Sequence, residues 1–155
     1  AEIDVGFIIN GSITNGLEIH DYETDRLCAV FPKGHALSKV KNLTYAKILD
    51  HDIVGLESSA NLMRLLAMEA SKIDKVMRTR IEVRSFEAIQ KAVSAGLGVG
   101  FLPFATEQPI NLQDNNLIAI PIEEEWAKRR IFLCVRNEQS NNPVLQKFLE
   151  AFIKK

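Results

Sequence analysis

The chain has 155 residues, 46% of them hydrophobic and 25% charged, which is ordinary globular material long enough for a sizeable core. Its 19 Lys and Arg against 20 Asp and Glu leave a net charge of −1, which excludes the clustered-cation footprint that grips nucleic-acid phosphates. No apolar run approaches the roughly 18 residues of a membrane span and no signal peptide is visible, so a cytoplasmic soluble domain is expected.

Residues 4–9 form a near-continuous apolar run of strand length, as expected for a strand covered on both faces. A turn-rich loop, NGSITNG, occupies 10–16. Residues 17–32 hold strand material interrupted by five polar residues at 21–25. A short helix is predicted over 42–50, with Leu43, Ala46 and Leu49 on one side, then a buried strand over 52–56. A longer helix follows over 58–72, capped by Ser58 or Ser59. Residues 77–83 set apolar positions against Arg78, Arg80 and Glu82, the period-2 pattern of a strand with one wet face.

The stretch 85–104 reads SFEAIQKAVSAGLGVGFLPF. Phe86, Ile89 and Val93 give a 3.6-residue helix one apolar stripe. Ser85 suits the N-cap, and Gly96 sits where a helix end wants positive φ. A dinucleotide fingerprint needs its glycines after a strand and before a helix. Here Gly96, Gly98 and Gly100 follow a helix and precede a strand, so they form no phosphate cradle of that kind. After Pro103 a short helical turn, strands over 117–122 and 131–135, and a helix over 143–154 are predicted. That helix has Asn142 as N-cap and Pro143 at its first position. Alternating strands and helices imply an α/β fold with a mostly parallel sheet.

In open α/β sheets ligands bind beyond the carboxyl ends of strands, where helix N-termini converge. Three junctions qualify: Ile9–Asn10–Gly11, Glu57–Ser58–Ser59 and Arg84–Ser85–Phe86. Backbone N–H groups at 59–62 and 86–88 would face a carboxylate, phosphate or sulfate. The alternative is that Ser58 and Ser85 are merely caps, worth about 1 kcal/mol each, and that Phe86 is core. His20, His35 and His51 share no ligand spacing, so neither a metal site nor His-based catalysis is expected. Neither serine has a G-x-S-x-G elbow, and no cofactor motif appears. Cys28 and Cys134 lie in apolar strand-like runs and read as small core residues rather than as a disulfide or a metal pair. Glu123–Glu125 beside Lys128–Arg130 reads as a solvated charged loop, with Trp126 either a contact residue or a lid.

Four motifs in order resemble the effector-binding domain of LysR-type transcriptional regulators. The pattern E-x-x-x-x-x-V-x-x-G-x-G-x-x-x-L-P is matched by Glu87, Val93, Gly96, Gly98, Leu102 and Pro103. LCAVFPKGHAL at 27–37 is similar to the family's strand and Pro-x-x-His-Pro-Leu, with Ala36 in place of the second Pro. EIDVGFII at 2–9 and RIFLCVR at 130–136 match its G-x-x-D-x-x-I strand and a late strand before a C-terminal helix.

The resemblance implies a periplasmic-binding-protein-like two-lobe architecture with one lobe incomplete. Residues 1–25 and 136–155 would form part of lobe I and 26–135 lobe II. The winged helix-turn-helix would be absent from this stretch, so that DNA is reached only through that missing N-terminal domain. It further implies a small-molecule effector held between the lobes by residues such as Ile9, Asn10, Glu57, Ser58, Ser85 and Phe86. The helix N-termini favour an anionic one. A homodimer or tetramer, no membrane and no catalysis are the remaining expectations. The rival readings are a transport solute-binding protein or an enzyme domain on the same scaffold. A winged helix-turn-helix encoded just before Ala1 would separate them.

Overall fold

The computed structural model of the chain describes residues 5–9, 17–57, 60–106, 109–136 and 142–153. They divide into two compact units, Ala1–Asp25 with Ala105–Glu107 and Lys128–Lys155, and Arg26–Phe104 with Gln108–Ala127.

The second unit holds the large hydrophobic cluster. Strand β2 (Leu17–Pro32) contributes Leu27, Ala29, Val30 and Phe31, all fully buried. Strand β6 (Leu117–Pro121) pairs with it antiparallel, from Cys28 opposite Pro121 to Pro32 opposite Leu117. A 3-10 turn, Ala36–Lys39, and helix α1, Tyr45–Ile48, lead to β3, Ile53–Leu56, whose four residues are all buried. Thr44 rather than Asn42 starts α1, its hydroxyl accepting from Lys47 N–H. Helices α2 (Ala60–Lys72) and α3 (Phe86–Ser94) both pack on β3. That covering explains why its sequence lacks a polar alternation.

Strand β4 (Thr79–Val83) departs from expectation. Thr79 to Glu82 are exposed and Val83 only half-buried, so both faces are wet rather than one. Among the described residues β4 pairs with β3 alone. It is an edge strand, whose Arg and Glu side chains suit that position. Strand β5 (Gly100–Ala105) runs straight through Pro103 to Ala105, into the residues after the proline where a short helical turn was expected. The residue before a proline is driven toward extended backbone, which favours the strand.

The glycine turn after α3 has a local cause. Gly96 has φ +83 directly after the C-cap and Gly98 φ +152, conformations that side chains oppose. A Cβ on Gly98 would also meet Asp52 O at 2.7 Å. That close approach lets Val99 bridge Ile53 in parallel. The β3–β4 ladder and this bridge are parallel, whereas β2 and β6 are antiparallel. The sheets are therefore mixed, a correction to the mostly parallel expectation.

The first unit contains β1 (Val5–Ile9) antiparallel to β7 (Lys128–Arg136), from Val5 opposite Val135 to Ile9 opposite Ile131. β7 lies between β1 and β2. The polar residues 21–25 do not interrupt β2, because β7 supplies partners: Arg130 Nη2 lies 2.8 Å from Asp21 Oδ1, and Arg129 binds Asp25. Helix α4 (Pro143–Ile153) starts as predicted, with Asn142 Oδ1 accepting from Val144 N–H at 3.0 Å. No helix among the described residues is long and apolar enough to cross a membrane.

Candidate functional site

The parallel register sets Leu56 opposite Val83, so the chain leaves β3 and β4 at the same edge. Glu57 N–H donates to Val83 O at 2.7 Å, extending the ladder by one bond. Arg84 Nε then reaches Glu57 Oε2 at 3.2 Å. Both side chains are more than half exposed. A pair of that kind holds with only about 0–1 kcal/mol.

One residue on, Ser85 takes extended backbone and caps α3. Its Oγ accepts from Ala88 N–H at 3.1 Å and its carbonyl from Ile89 N–H at 3.0 Å. Of the three N–H groups expected to face a ligand, Ala88's is thus taken by the cap. Those of Phe86 and Glu87 precede the helical ladder. Phe86 is 42% exposed and stands outside the buried stripe of Ile89, Ala92 and Val93. Its ring is available as a pocket wall and is not core.

Ile9 ends β1 in the first unit, opposite Ile131. Asn10, Gly11, Ser58 and Ser59 lie outside the described residues.

His35 has a structural task. Its Nδ1 accepts from Leu37 N–H at 3.0 Å, capping the 3-10 turn, while its ring meets the His51 ring edge-on at 4.8 Å. Burial, then the electrostatic influence of the neighbouring His51, lowers its pKa from the ordinary 6.5. No group of His, Cys, Asp and Glu among the described residues is arranged to hold a metal ion.

Sequence reasoning missed two carboxylates. Asp25 is 5% exposed and paired to the 7% exposed Arg129, where a charged loop was read. Glu124 Oε2 accepts the backbone N–H of Tyr45 at 3.1 Å and so caps α1 from 79 positions away. The only signal for the first was a run of polar residues in strand material, and nothing local marked the second.

Comparison with known proteins agrees with this architecture. The profile of the LysR substrate binding domain matches residues 1–155. A probable RuBisCO transcriptional regulator of a Nostoc species is 25% identical over 152 residues, covering 96% of this chain and 45% of that protein. One from Trieres chinensis is 29% identical over 145 residues, covering 87% and 45%. The chain thus spans a little under half the length of these relatives. The Synechocystis CcmR regulatory domain, solved in complex with 2-PG, superposes with a TM-score of 0.80 at 20% identity, over 98% of this chain and 73% of that one. The effector binding domain of QuiR, solved with shikimate, gives 0.73 at 18% identity, over 95% and 69%. These likenesses establish the fold: α/β, of the two-lobe effector-binding kind.

Proposed function

Since the chain belongs to the LysR substrate-binding domain family, we propose that it senses a small anionic effector for a transcriptional regulator. The observation that carries this reading is the shared edge of β3 and β4. There the in-register strand ends bring Glu57, Arg84 and the capped N-terminus of α3 together. Phe86 and Glu87 N–H groups carry the positive end of the helix, and Arg84 adds a full charge beside them. Ser58 follows Glu57 and Phe86 offers an apolar wall. The structurally similar domains solved with 2-PG and with shikimate support a small-molecule ligand. The effector acts by binding one conformational state more tightly than another, which is all a ligand can do to an equilibrium.

The chain's part is sensing and not catalysis, in keeping with relatives named as transcriptional regulators. DNA is read by a segment outside these 155 residues, a reading supported by the net charge of −1 and by the 45% coverage of the relatives. The regulator works in the cytoplasm as a homodimer or tetramer. The two buried cysteines suit a reducing compartment, and the wet edge strand β4 with exposed Met68 and Ile81 offers a pairing surface.

Thermal-shift screening of the regulator against anionic metabolites tests the reading. A true effector at 100 times its dissociation constant adds about 2.7 kcal/mol, and Arg84→Ala should abolish that gain. An effector whose affinity is untouched by Arg84→Ala would reject this site.

A further inference from the structure

A second site lies within the larger unit, away from the β3–β4 edge. A cavity of about 340 Å³ is bounded by Tyr45, Trp126, Glu69, Glu124, Thr44 and Ile73. This lies in the size range of ligand pockets, which are mostly apolar with a few fixed polar groups. The two rings meet edge-to-face with centroids 4.8 Å apart. Tyr45 is 2% exposed, and its hydroxyl donates to Leu66 O at 2.7 Å, so the aromatic wall is held rigidly.

The charged lining is acidic. Glu69 is 7% exposed. Its partner Lys72, at 2.9 Å from Oε2, keeps 60% of its side chain exposed, so the compensating charge lies toward solvent. Among the described residues Glu124 is held by one neutral backbone N–H, that of Tyr45, which lies 3.3 and 3.1 Å from its two oxygens. The lining itself has no cation. Burial, then the fields of Glu69 and Glu124, push the Tyr45 phenol well up, in keeping with a negative cavity.

We infer that this aromatic and carboxylate-lined cavity binds a small organic ammonium ion. Aromatic faces attract such cations through their quadrupoles, more strongly when water is excluded. The two carboxylates supply the countercharge, and Ile73 and the rings receive the apolar body. A bare metal ion fits less well, since two carboxylates leave most of a hard cation's roughly six to eight oxygen positions unfilled and no metal-holding group exists among the described residues. An anion is repelled. The inference is independent of the effector site, which selects the opposite charge.

Trp126 is the single tryptophan of the chain, so its fluorescence reports this cavity alone. The 155-residue chain would be titrated with tetramethylammonium and with butylammonium, against sodium chloride at equal ionic strength and sodium benzoate. A saturable change with either ammonium ion, absent with both sodium salts, is the expected result. Glu69→Gln and Glu124→Gln should each weaken it about tenfold or more. Folding of each variant is checked by circular dichroism. The unfolding midpoint of the wild type should rise with the ammonium ion. A folded wild-type chain that gives no saturable response, or responds equally to sodium chloride or benzoate, overturns the inference. Full affinity in both folded variants overturns it as well.

Discussion

Asp25 and Arg129, 104 positions apart, form a buried two-point ion pair, with Nε–Oδ1 at 2.7 Å and Nη2–Oδ2 at 2.6 Å. Asp25 is the last residue of the first unit before β2 passes to the second. Arg129 stands two residues after Ala127, where the chain returns. The pair therefore ties β2 to β7 within the first unit, where β2 is about to leave that unit and β7 has just begun in it. On the next residue, Arg26 Nη1 donates to Ile122 O at 2.6 Å inside the second unit.

Removing one partner strands a buried charge. Asp25→Ala or Arg129→Met should each cost about 3–5 kcal/mol in urea unfolding. The double variant should lose much less than the sum, because neither charge is then left alone. Additive losses would show that the two do not act as a pair.

Gly98→Ala should destabilise by at least about 2 kcal/mol, combining an unfavourable φ with the Asp52 O contact. Gly34→Ala is the matched control: no heavy atom lies within 4 Å of its would-be Cβ. Its effect should stay within about 0.5 kcal/mol. Chemical denaturation of both variants measures the contrast.

The His35 prediction has a definite sign. The folded chain binds the proton less well than the unfolded one, whose ordinary value is 6.5. The unfolded state therefore holds more protons as pH falls below that value, and stability drops with it. Above it the contribution is flat. Protonation must also break the bond that Nδ1 accepts from Leu37 N–H. Urea midpoints between pH 7.5 and 5 should decline, and less so in His35→Asn. An NMR titration midpoint for His35 above 6.5 would contradict the assignment.

Ser85 separates capping from binding. Ser85→Ala should cost about 1 kcal/mol of stability through the lost bond to Ala88 N–H. Ser85→Asp keeps a capping oxygen and places a negative charge beside Phe86. It should fold nearly as well as the wild type and bind an anionic effector at least about tenfold more weakly. Calorimetric titration with the screened effector, alongside thermal unfolding, reads both. Unchanged affinity in Ser85→Asp would leave Ser85 as a cap alone.

Much of the fold and part of the site could be read along the chain because they rest on local chemistry. The stripe of Ile89 and Val93, the Ser85 cap, the positive φ of Gly96 and the Asn142–Pro143 helix start each depend on neighbours within a few residues. The family motif at 87–103 is the imprint of that same local geometry, to which Gly98 adds one long-range demand, its close approach to Asp52. The wet faces of β4 escaped this reading. Alternation records which side chains share a face, while pairing with β3 alone and the solvent beyond decide burial.

Long-range polar pairing was decided only by the tertiary structure. A buried Asp25 is tolerable solely because Arg129 arrives from β7, and Glu124 caps Tyr45 solely because two distant segments pack together. A charge in a strand and a charge in a loop look alike in one dimension. Desolvation makes the first costly without a partner, and the partner's position is a property of the folded chain. The Glu57–Arg84 pair is the intermediate case. Both junctions were visible as strand ends, but the register of Leu56 against Val83 brought the two charges within reach. Strand register follows from how both strands meet the helices and the core, which no single segment encodes.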